Sequence, residues 1–223
     1  MSSSRSPSTP PKGGDLWWRP RAPIGLETDR WVRPMEARPS FPAGRQVVHH
    51  ANPILLRKRS DLDTPEDEDT AEIDEDEYQR MGNLSEYAMG KIGELVPGDA
   101  GRLLKPNDMI EWNTHYYPSG FDIPGDQIEL GISFHPEGYE PEFEQNLRLY
   151  RLQGDIALAP GGTAMTQGFY RWDHPVRLDS FQPHGHVHLH GMSVQAFYPE
   201  GNLELLHDGV GLRRAVAPQL HLR

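Results

Sequence analysis

Histidines at every second position mark FQPHGHVHLHG, residues 181–191: His184, His186, His188 and His190. In a strand, residues two apart share a face, so a His-x-His pair can chelate one ion without distorting the backbone. The pairs 184/186, 186/188 and 188/190 all satisfy that geometry. Imidazole suits copper, zinc, iron and nickel. The competing reading is a strand that is merely polar on its solvent face. As a strand, this stretch would carry the four histidines on one side and Val187 and Leu189 on the other. The rise of about 3.3 Å per residue spreads the four too far apart for one ion to take all of them.

Three more histidines stand in informative places. His49 and His50 are adjacent in VVHHA. On a regular strand they would point to opposite faces. Both reach one ion only if a ring uses its Nδ1 or the strand is bulged; otherwise one is buried and one exposed. His115 lies among Trp112, Tyr116 and Tyr117, where it is either a packed, hydrogen-bonded core residue or a ligand. His135 and His174 precede prolines and read as surface turns. His207 and His221 have no pattern around them.

The elements that must hold these side chains read as β-structure. The chain has 223 residues, with 22 glycines and 21 prolines, a density that forbids long helices and favours short strands and turns. In DMIEWNTHYYP (108–118), Ile110, Trp112, Thr114 and Tyr116 fall on one face and Glu111, Asn113, His115 and Tyr117 on the other. Further short strands follow to residue 207, and Gly201 in YPEGN sits where a turn wants φ > 0. Residues 84–95 read as a short helix with glycines at 90 and 93 against it. Many short strands with frequent turns indicate a sandwich or barrel.

Composition narrows the function. The net charge is −11, but eleven of the 33 acidic residues fall within 61–77, which leaves 22 against 22 Lys and Arg elsewhere. That acidic run reads as a solvated, disordered loop and lacks the glycine and terminal Glu of an EF-hand. No basic cluster offers a nucleic-acid footprint, and no apolar run is long enough to span a membrane. With no cysteine there is no thiolate site and no disulfide. The start, MSSSRSPSTPPKGG, has no apolar signal region; it reads as a disordered leader or a cut edge. The Glu that follows a cupin His-x-His, the zincin His-Glu-x-x-His, the Gly-x-Ser-x-Gly elbow and the P-loop are all missing.

The order of VVHHA (47–51), NTHYYPSG (113–120), FQPHGH (181–186) and AFYPEG (196–201) resembles the copper type II, ascorbate-dependent monooxygenases. That family includes peptidylglycine α-hydroxylating monooxygenase and dopamine β-monooxygenase. The resemblance is nearer to uncharacterised bacterial members and covers roughly residues 16–206. ETDRWVRPMEARPS, the stretch from Leu84 to Tyr116, and GGTAMTQGFY are similar to the segments that precede the family's three histidine motifs.

The resemblance implies two antiparallel β-sandwich domains of jelly-roll type. They would cover residues 15–139, with an acidic loop at 59–79, and residues 140–223, with 1–14 as a leader. It implies two copper ions per chain. His49, His50 and His115 correspond to the ligands of the electron-storing copper. His184 and His186, chosen by the fifteen residues back from Gly201, correspond to those of the catalytic copper. The implied reaction hydroxylates a C–H bond of an organic substrate with O₂ and a one-electron donor such as ascorbate. The family also implies an extracytoplasmic location. Its distant methionine ligand has no counterpart, since no methionine follows Met192. That marks the second sandwich as incomplete, and the rival expectation is a copper- or zinc-binding β-protein without activity.

Overall fold

The computed structural model describes residues 14–62, 77–88, 91–118, 120, 126–147, 157–183, 189–210 and 220–221. The protein is nearly all β and, apart from one short parallel pair, its paired strands run antiparallel, as the sequence predicts. Among the described residues no helix is long and apolar enough to cross a membrane. The chain divides into two compact units, residues 1–87 with 92–176, and residues 88–91 with 177–223.

The first unit is a sandwich of two sheets. One contains β1 (Leu16–Trp18), β2 (Arg21–Pro23), β4 (Val48–Lys58), β5 (Tyr78–Asn83), β6 (Tyr87–Ala88) and β9 (Met109–Tyr116), with the path β1-β9-β4-β5. The other contains β3 (Arg30–Pro39), β7 (Gly93–Glu94), β8 (Ala100–Leu104), β10 (Ile128–Phe134) and β11 (Phe143–Glu144), with the path β10-β3-β8-β11. The domain boundary expected near residue 140 falls just before β11, which pairs with β8.

Both sheets feed one core. Val32, Met35 and Ala37 of β3 and Leu104 of β8 meet Val48, Ala51 and Leu55 of β4 and Ile110, Trp112 and Tyr116 of β9. The even positions of β9 are the apolar ones, so the period of two faces them inward. Prolines sit where they cost no ladder bond. Pro34 falls between the β3 residues paired with β8 and those paired with β7. Pro53 falls just outside the β4 stretch paired with β5, and its carbonyl accepts from the Leu84 N–H at 2.7 Å.

The described residues of 84–95 are not helical. Within the described part of this segment, β6 and β7 are two-residue strands. Gly93 explains the difference: a Cβ there would lie 2.5 Å from the Met35 carbonyl oxygen, so the glycine lets this backbone pair closely with β3. His135 is another correction. It is buried rather than superficial, stacks on Tyr139 at 4.2 Å, and its Nε2 bonds to the Ala100 carbonyl at 3.0 Å. His174 is exposed beside Asp173, as its turn context predicts.

Most of the acidic run, residues 63–76, lies outside the described residues. Its two described ends are tied down. Lys105 Nζ donates to the Asp61 carbonyl at 2.8 Å and Asn107 Nδ2 to its carboxylate at 3.0 Å. Glu77 pairs with Lys58 at 2.7 Å.

The described part of the second unit is two ladders. β12 (Ser180–Phe181) pairs with β15 (Leu220–His221), and β13 (Gly191–Phe197) with β14 (Leu203–Val210). Gly201 holds φ at 87° in the intervening turn, as YPEGN predicts. Phe197, Leu203 and Leu205 on this hairpin are exposed.

A buried carboxylate carries a pH signature. Asp126 is fully enclosed and accepts from the Tyr116 hydroxyl at 3.2 Å. Burial raises its pKa, and the Tyr116 and Gln127 hydrogen bonds only partly offset that. A folded-state pKa above the unfolded one means the native state holds the proton more tightly. Stability is therefore lost as pH rises from the unfolded value through the folded one. Asp126→Asn keeps an acceptor for Tyr116 and removes the charge. It will raise the melting temperature at neutral pH, with a gain that shrinks towards pH 4. Thermal melts across that range check this; a gain that is absent or independent of pH refutes it.

Candidate metal centre

The adjacent histidines share a face because β4 is bulged. Val48 pairs with Tyr116, yet His50 pairs with His115, so two β4 steps match one on β9 and His49 is the extra residue. A bulge of this kind turns the strand locally and re-aims a side chain. The burial pattern agrees: Val48 and Ala51, three apart, both enter the core, while His49 and His50 between them are only half-buried. His115 stands on the face of β9 opposite its core residues and is itself buried.

The three rings meet through Nδ1. His49 Nδ1 lies 3.1 Å from His50 Nδ1 and 3.3 Å from His115 Nδ1. One ligand atom from each histidine falls within 4.8 Å of the others, and this is the metal-capable group among the described residues. An ion about 2.0–2.1 Å from each imidazole nitrogen in tetrahedral geometry sets N···N edges near 3.3 Å. The two separations that His49 makes are of that length. They also suit N–H···N hydrogen bonds between rings. A metal ion would take the place of those shared hydrogens, and each neutral ring would then carry its single proton on Nε2. Three nitrogen donors with no thiolate favour copper or zinc over magnesium or calcium, which prefer oxygen.

Aromatic side chains wall the site. Trp17 lies opposite His115 in the β1–β9 register and stacks flat on its ring, with centroids 4.2 Å apart and planes within 4°. It meets His50 edge-on at 5.3 Å. Tyr117 covers the other side, 4.6 Å from His49 and 5.0 Å from His115. Farther along the same face of β9, Glu111 is buried between Arg21, at 2.8 Å, and Arg80. That neutralises the carboxylate nearest the site on this strand.

The structure thus brings together His49, His50 and His115. His184, His186 and His188 lie outside the described residues. The strand expected over 181–191 is seen only at its margins, in β12 and at Gly191, the first residue of β13; His190, just before it, is exposed. Sequence reasoning missed Asp15 and Trp17. The available signal was D-x-W at strand spacing in DLWW, which puts both side chains on one face. Comparison with known families, characterised proteins and solved structures finds no match to the chain.

Proposed function

We propose that His49, His50 and His115 hold one copper ion through their Nδ1 atoms, in a copper monooxygenase-like protein that hydroxylates a C–H bond with O₂ and a one-electron donor such as ascorbate. The observation that carries this reading is the convergence of three Nδ1 atoms produced by the bulge at His49. Copper ranks highest among the divalent first-row metals for nitrogen sites.

Copper bound at this trio would supply storage of one electron at a time, and a second ion at His184 and His186 would supply the place where O₂ reacts. The protein's own residues do the rest at the first site. The three imidazoles bind in their neutral form, each with its remaining proton on Nε2. Trp17 and Tyr117 pack against the rings. The β4–β9 pairing fixes the spacing of the donors. A protein that binds copper or zinc without turnover is the second reading. It needs no more than the three-histidine group that the described residues assemble.

Metal analysis and oxygen uptake separate these readings. The parent chain should take up copper, and His184→Ala with His186→Ala should remove one ion while His188→Ala with His190→Ala leaves both. The reverse result would shift the second site by four residues. Ascorbate-dependent O₂ consumption by the copper-loaded parent supports the monooxygenase. Copper binding without uptake supports the binder, and no binding at all overturns both.

A further inference from the structure

His115 has a second ring nitrogen, and its surroundings are unusual. Nε2 is buried and makes no hydrogen bond. Asp15 Oδ2 stands only 3.1 Å from it, yet out of line for an N–H donor. A buried N–H left without an acceptor costs about 1–3 kcal/mol, so a nearby carboxylate that turns easily has a reason to be there. The Asp15 side chain is 51% exposed, so burial does not hold it in its present rotamer.

The same short stretch supplies a second contact on the same ring. Asp15 and Trp17 are two residues apart and share a face. Register places Trp17 directly opposite His115, and its indole lies flat on the imidazole. Gly14 holds φ at 105° just ahead of them, a conformation that side-chain-bearing residues rarely adopt. The chain therefore enters β1 by a glycine-dependent turn and lays one carboxylate and one indole against one histidine.

We propose that Asp15 and Trp17 are positioning residues of the metal centre: Asp15 accepts the Nε2–H of His115, and Trp17 fixes the plane of the ring, so that Nδ1 is the atom presented to the ion. This rests on the metal reading of His49, His50 and His115. Its chemistry is general. A metal-bound histidine donates its other N–H to a carboxylate or carbonyl, which sets the tautomer and makes the ligand more basic. His115 is the buried member of the trio, so Asp15 and Trp17 act on the ligand least able to find water as a partner.

The test uses the full chain. Copper affinity is measured by chelator competition for the parent, Asp15→Ala, Asp15→Glu and Trp17→Phe. Asp15→Ala should bind copper about 10- to 100-fold more weakly, the range for lost outer-shell partners. Asp15→Glu should restore most of that, and Trp17→Phe, which keeps a ring to stack, should lose less. A structural role alone would not alter the ligand atom, so nitrogen NMR of the zinc-loaded protein gives the second readout. The parent should show His115 bound at Nδ1 and protonated at Nε2, and Asp15→Ala should show a mixture of tautomers. Parent and Asp15→Ala affinities within about threefold overturn the role of Asp15 and leave the metal site standing. A parent that binds neither copper nor zinc overturns the site and this inference together.

Discussion

Arg57→Ala will destabilise the first unit by about 3–5 kcal/mol, the usual consequence of stranding one partner of a buried ion pair. Arg57 donates to Asp108 through Nε at 3.0 Å and Nη2 at 2.9 Å, and Nη2 also donates to the Leu103 carbonyl at 2.8 Å. The Asp108 side chain is wholly buried and accepts in addition from the Lys105 N–H at 2.8 Å. Truncating the arginine leaves that carboxylate without its counter-charge. Small domains are stable by only about 5–15 kcal/mol, so the loss would be visible directly in urea unfolding. Arg57→Ala combined with Asp108→Leu should recover part of it, because no charge is then buried alone. A loss below about 1 kcal/mol for the single variant would mean that water reaches Asp108. The pair matters to the metal centre because it ties β4 to the turn that launches β9, the two strands whose pairing spaces the histidines.

His115→Ala should weaken copper binding by at least about 10-fold, since even indirect disturbance of a metal shell costs 10- to 100-fold. The remaining donors, His49 and His50, sit 3.1 Å apart at Nδ1 and can still chelate, so binding should weaken rather than vanish. Electron paramagnetic resonance of the Cu(II) form should show one nitrogen fewer than the parent. Unchanged affinity with an unchanged nitrogen count would remove His115 from the ligand set. Because imidazole must be neutral to bind, copper affinity should fall as pH is lowered and protons compete for the ring nitrogens.

The strands around the site were legible because their signals are local. The alternation from Ile110 to Tyr116 is written in consecutive residues, and so is the Gly201 turn. His49, His50 and His115 stood out as candidates by type. The sequence left open whether an adjacent pair could serve one ion, since the answer depends on a register shift against a strand 66 residues away. The helix read over 84–95 failed for a related reason: Gly93 is required by the nearness of Met35, a tertiary contact that local propensity cannot express. His135 looked superficial beside its proline because the carbonyl that holds it belongs to Ala100. Asp15 and Trp17 gave a readable spacing, but their shared target was set by pairing with β9.

The bulge has a consequence for parity. Val48 and Ala51 face inward with two residues between them, whereas an unbroken strand would have one. Removing His49 would restore a regular in–out–in sequence, Val48, His50, Ala51, with every core side chain still facing the core. The hydrophobic interior is therefore indifferent to the additional residue. Fold and donor number are thus separable in parity: without the additional residue the in–out alternation would persist, with His50 and His115 left in place of three histidines.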